Sequence, residues 1–82
     1  MLKKKAVAIE DVYVPVKRRQ MLDLQKVETL AESILANGQE TPILVRADGS
    51  RFVLVEGLHR LEACRALGET TVSVYLVQAR QH

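Results

Sequence analysis

The chain predicts an α+β fold, a small mixed β-sheet with helices packed against it, in the order β-α-β-β-α-β. Three stretches carry that expectation. Apolar residues recur at helical spacing through residues 24–35, two β-branched runs flank Asp48 and Gly49, and strict alternation marks residues 71–76. With 82 residues the chain is read as one domain, residues 1–82. A chain of that size buries about 60% of its unfolded surface, which is room for one modest core and not for a large catalytic cleft with its own lid.

The elements follow in order. Residues 6–9 and 12–14 are short apolar, β-branched stretches that end at Pro15, where a ladder donor is lost, and they read as one first strand. A basic loop, residues 16–21, comes next. Asp23 is placed to cap a helix in which Leu24, Val27, Leu30, Ala31, Ile34 and Leu35 recur, with Asn37 and Gly38 as its stop. Projection at 100° per residue puts Val27, Leu30, Ala31, Ile34 and Leu35 in one arc, the expected core face. After Pro42, "ILVRADGSRFVLVEG" reads as a hairpin turning at Asp48 and Gly49, a dipeptide suited to a type I′ turn. The second helix is expected over residues 57–67, stopped by Gly68. The last strand alternates Val72, Val74 and Leu76 with Thr71, Ser73 and Tyr75.

Composition narrows the functional classes. The formal charge is +2, from 12 Lys and Arg against 10 Asp and Glu, so the domain lacks the overall basic bias of a dedicated nucleic-acid binder. The excess is local, at Lys3, Lys4 and Lys5 and at Lys17, Arg18 and Arg19, and the second cluster is a candidate nucleic-acid contact. No apolar run reaches the roughly 18 residues needed to span a bilayer, and no apolar segment follows the N-terminal lysines, so the expected location is cytoplasmic. Cys64 is the single cysteine, which excludes an internal disulfide. It falls with Leu61 and Leu67 on one helical face, where a thiol acts as a small hydrophobe. His59 and His82 are too few and too far apart to argue for a metal site, and none is expected.

Two patterns point to chemistry. Beside the apolar arc of the first helix, Lys26, Thr29 and Ser33 form one stripe at i, i+3 and i+7, a point charge with two rotatable hydroxyls that suits a polyphosphate. The second helix starts at Gly57 with His59 and Arg60 in its first turn, the end of a helix where the dipole disfavours cations and favours anions. Arg60 projects toward Cys64 and Leu67 and needs an anionic partner. Glu56 is one candidate for that role, and a bound phosphate held by first-turn amides is the other. Gly57 leaves the backbone open to such a ligand.

The stretches "LDLQKVETLAESI", "TPILVR" and "FVLVEGLHRLEACRALG" together resemble the ParB/sulfiredoxin superfamily over residues 9–77. That resemblance implies a nucleotide site made of Lys26, Thr29, Ser33, Gly57, Leu58, His59 and Arg60. Lys26, Thr29 and Ser33 stand at the spacing that sulfiredoxins use for ATP phosphates. Partition proteins carry Gly-Glu-Arg-Arg where this chain has Gly57, Leu58, His59 and Arg60, and they bind CTP. The implied ligand is ATP or CTP with Mg2+, and slow nucleoside triphosphatase turnover at most.

Departures from the family limit the activity. The cysteine that sulfiredoxins require between the glycine and the histidine is Leu58 here, and without that thiol the covalent route is closed. A partition protein has a glutamate at that position and a helix-turn-helix domain besides, so the chain is either a small member or part of something longer. The first expectation is a nucleotide-binding module linked to plasmid or chromosome partition or to DNA-related regulation. The alternative is a kinase of the free-serine type using ATP or ADP, with Glu56 as the carboxylate that orients the acceptor hydroxyl, preferred over Glu10 and Asp11. A nuclease has no pair of metal-binding carboxylates in its favour. The expected partners are the nucleotide, DNA through the basic loop, and a second copy or a larger protein.

Overall fold

The structure is a computed structural model that describes residues 3–38 and 41–78; His82 lies outside them. One five-stranded sheet carries the helices. Its strands are β1 (Lys3–Ala8), β2 (Val12–Tyr13), β3 (Ile43–Asp48), β4 (Arg51–Glu56) and β5 (Thr71–Val77), and its helices are α1 (Val16–Arg19), α2 (Leu24–Asn37) and α3 (Leu58–Ala66). The spatial order is β1-β5-β3-β4-β2, with β1/β5 and β3/β4 antiparallel and β3/β5 and β2/β4 parallel, so the sheet is mixed as the sequence predicts.

The expected single first strand is two strands at opposite edges of the sheet. Residues Ile9–Asp11 form a 3-10 turn between them, tied down by a bond of 2.9 Å from the Ile9 N–H to the Thr70 carbonyl. In a flat sheet four strand spacings would separate β1 from β2 by about 19 Å. The four steps from Ala8 to Val12 reach roughly 14 Å even when extended. The sheet must therefore curl until its edges approach, and Val7, Ile9, Val12 and Val14 are buried along that curl. The basic loop is also more ordered than predicted, because Pro15 precedes a single helical turn, α1, whose first bonds run from the Arg18 and Arg19 N–H groups to the Pro15 carbonyl.

The core lies between the sheet and α2 and α3. Helix α2 contributes Val27 and Ile34, α3 contributes Leu58, Leu61, Ala63 and Cys64, and the strands contribute Ile43, Val45, Leu54, Val72 and Val74. Leu30 and Ala31 are partly buried against it. Leu35, placed on the core face by projection, is 78% exposed, and Leu24 is 72% exposed. The buried arc of α2 is narrower than its apolar content: Leu35 borders an open groove with Gly38 and Leu67 rather than entering the core.

The hairpin turns one residue later than expected. Asp48 pairs with Arg51, so the central residues are Gly49 and Ser50. Only Gly49 has a positive φ, 63°, whereas a type I′ turn requires positive φ at both positions. Gly57 has the stricter requirement. Its φ is 113°, and a Cβ there would lie 2.6 Å from Ile43 Cγ2 and 2.8 Å from Ile43 Cβ. The glycine is dictated by the packing of the β4–α3 corner on β3, a reason distinct from ligand access. Gly57→Ala should therefore cost about 2 to 5 kcal/mol from backbone strain and overpacking together, lowering Tm by about 10 °C or more. A thermal melt within about 2 °C of wild type would contradict this packing account.

Candidate functional site

Helix α2 begins as its sequence predicts. Asp23 is extended, and its Oδ1 accepts hydrogen bonds from the N–H groups of Gln25 at 3.0 Å and Lys26 at 3.4 Å. Helix α3 begins differently, at left-handed Gly57 with no side-chain cap and no acidic residue in its first turn. The two starts meet. The backbone N–H of Asp23 donates to His59 Nε2 at 3.0 Å, joining residues 36 apart in sequence.

Two clefts open at this junction and share the Leu30 side chain as a wall. One, of about 590 Å³, is lined by Asp23, Gln25, Lys26, Thr29, Leu30 and Ser33, so the whole predicted stripe faces a single space. The other, of about 350 Å³, is lined by Gly57, Leu58, His59 and Arg60 together with Arg18, Met21 and Leu30. The structure thus gathers Lys26, Thr29 and Ser33 in one cleft and Gly57, Leu58, His59 and Arg60 in the other, with Leu30 lining both. Leu58 is 8% exposed and anchored in the core, so what it can offer a ligand is its main chain.

Three candidate residues take distinct places. Glu56 is exposed and lines neither cleft, and the ion pairs Arg51–Asp48 and Arg65–Glu62 do not involve it. Glu56, one of the two candidate partners for Arg60, forms no ion pair with it, and Arg60 is half-buried and borders the cleft. Arg18 belongs to the cleft beside Gly57, whereas its neighbour Arg19 lines a separate cleft with Glu62 and Arg65. The sequence offered no signal for that division, because consecutive residues of a one-turn helix point about 100° apart only once the turn exists.

Cys64 is 1% exposed within α3. Burial raises its thiol pKa above the ordinary value, Arg60 nearby pulls it down, and Glu69 pushes it up again. Among the described residues no group of three or more His, Cys, Asp or Glu side chains is gathered to hold a metal, and no helix is long and apolar enough to cross a membrane.

The model of the ParB N-terminal domain matches residues 3–82. The chain belongs to that family. It is 42% identical over 50 residues to the chromosome-partitioning protein ParB of Myxococcus xanthus, a match that covers 61% of this chain and 17% of the relative. It spans about a fifth of the length of the curated relatives it matches. Among solved structures, sulfiredoxin from Arabidopsis thaliana superposes with a TM-score of 0.83 at 27% identity, covering 94% of this chain and 86% of that one. The C-terminally truncated chromosome-partitioning protein ParB from Caulobacter crescentus, complexed with CTP-gamma-S, superposes with a TM-score of 0.82 at 25% identity, covering 96% of this chain and 46% of that one.

The thiol yields a direct test. A folded-state pKa above the unfolded one means that the stabilisation is whole below the unfolded thiol's pKa, about 8.5, and is lost as pH rises through it toward the folded value. Wild type should lose stability above about pH 8.5 more steeply than Cys64→Ala, and a thiol reagent should label the native protein far more slowly than the denatured one. Rapid labelling of the native state would show that the thiol is open to solvent.

Proposed function

We propose that this domain binds a nucleoside triphosphate at the junction of α2 and α3 and acts as a nucleotide-binding module of a partition or DNA-related regulatory protein. The observation that carries the reading is the pair of clefts sharing Leu30. On one side stand an ammonium and two hydroxyls, and on the other an uncapped helix start flanked by Arg60, His59 and Arg18. A chain of phosphates laid across Leu30 would meet donors on both sides, while a single phosphate would use only one set. The ligand is CTP or ATP. Kinship with partition proteins, one of which was solved with CTP-gamma-S, favours CTP. Magnesium would arrive with the phosphates, whose oxygens supply many of its ligands.

The residues support binding and positioning more than turnover. Among the described residues one carboxylate, Asp23, lines the larger of these clefts, and its Oδ1 is engaged in capping α2. Glu56, the carboxylate preferred for orienting an acceptor hydroxyl, lies outside them, so the free-serine-kinase alternative draws no support from that residue. Sulfiredoxin chemistry lacks its thiol: Leu58 holds that position, and Cys64 is buried. DNA contact is the second part of the proposal and falls to Lys17 and Arg19, since Arg18 borders the nucleotide cleft.

Calorimetric titration with ATP, CTP, GTP and ADP, with and without magnesium, tests the first part. A triphosphate should bind, and Lys26→Ala and Arg60→Ala should each weaken it by about tenfold or more, the worth of a charge-assisted bond. Arg60→Ala should remove most of the rise in Tm that nucleotide gives wild type, since stabilisation by a ligand follows its binding. Undiminished stabilisation of Arg60→Ala by nucleotide would take Arg60 out of the proposed site. For DNA, two neutralised phosphates imply a log-log salt slope of about −1.8, measurable by mobility shift. Salt-independent binding, or none at low salt, would remove that part of the proposal.

A further inference from the structure

His59 performs a task that phosphate binding does not require. Its Nε2 accepts the Asp23 N–H at 3.0 Å, so one imidazole lone pair joins the second residue of α3 to the residue that caps α2. A ring nitrogen accepts only while it carries no proton. The imidazolium is a donor at both nitrogens and faces the Asp23 N–H with a second N–H. Protonation therefore opens this contact and does not merely weaken it. Imidazoles make that change between pH 5 and 8.

Among the described residues, the charged groups nearest the ring by cleft lining or by sequence come from four elements. Arg18 of α1 and Arg60 of α3 line its cleft, and Lys26 of α2 lines the adjoining one with Asp23. Glu56, at the end of β4, precedes the ring by one turn's length of chain, and Glu62 follows it along α3. A polyanion entering between these cations adds the negative charge that favours an imidazolium. The charged ring would then have two N–H groups to offer phosphate oxygens, one of them released from Asp23.

We propose that His59 is a proton-operated clasp: neutral, it ties the start of α3 to the cap of α2, and protonated, it releases Asp23 and donates to a polyanion in the adjoining cleft. The second half of that statement rests on the nucleotide reading, whereas the first half does not. His59→Gln separates them, because an amide oxygen can accept the Asp23 N–H at any pH.

Urea unfolding of the ligand-free chain at pH 8.0 and 5.5 tests the clasp. Between those pH values the unfolding equilibrium constant of wild type should rise about fivefold more than that of His59→Gln, the worth of one hydrogen bond. His59→Ala, which lacks the bond throughout, should already be less stable at pH 8.0. Titration with inorganic triphosphate at the same pH values tests the coupling. Wild type should gain affinity on acidification relative to His59→Gln, a comparison in which protonation of the ligand cancels. Parallel unfolding of wild type and His59→Gln would overturn the clasp, whatever the ligand does. Triphosphate binding with the same pH dependence in both proteins would overturn the coupling and leave the nucleotide reading intact. Failure of triphosphate to bind either protein would count against the nucleotide reading and remove the coupling with it, with the clasp decided by the unfolding data.

Discussion

Two helix N-termini directed at one place are an electrostatic liability. Each carries the equivalent of about half a positive charge, and in this protein the starts of α2 and α3 are brought within a single hydrogen bond of each other through Asp23 and His59. The Asp23 carboxylate caps the start of α2, whereas the first turn of α3 has neither a side-chain cap nor an acidic residue, and Lys26, Arg60 and Arg18 border the clefts at the junction. The fold tolerates this because the position of α3 is set elsewhere. Gly57 turns the chain tightly over Ile43, and Leu58, Leu61 and Cys64 lock the helix into the core. Packing fixes the geometry, and the geometry concentrates positive potential where an anion can reach it.

That division of labour explains why the site residues are of two kinds. Gly57 and Leu58 serve the architecture, one by lacking a side chain that would strike Ile43 and the other by burying its own. Lys26, Thr29, Ser33 and Arg60 border the clefts. His59 belongs to both kinds, since the ring that borders the cleft also bonds the cap of the neighbouring helix. A motif of four consecutive residues thus combines a packing constraint, a core anchor, an interhelical bond and a cation.

Much of this was legible in the sequence because the signals are local. The Asp23 cap, the period of α2, the alternation of β5 and the stop at Gly68 are all read within a few residues, and the stripe of Lys26, Thr29 and Ser33 follows from helical geometry alone. What was not legible depends on long-range packing. Residues 6–14 look continuous, and only a curled sheet with two distant edges makes them two strands. Leu35 has the right period for the core and emerges exposed, because burial depends on what the partner element covers. The reason for Gly57 lies in Ile43, fourteen positions earlier, and the reason for the His59 bond lies in Asp23. Arg18 was grouped with its basic neighbours by charge, whereas the turn of α1 assigns it to a different cleft.

The central claim is that one polyanion engages both helix starts at once. Amide chemical shifts of the 15N-labelled chain, followed during titration with CTP and then ATP, test it most directly. The account predicts that Lys26 and Thr29 on α2 and Leu58, His59 and Arg60 on α3 shift together along one binding curve, with the β1 and β5 amides undisturbed. Shifts confined to one helix, or centred on the exposed lysines of β1, would contradict it.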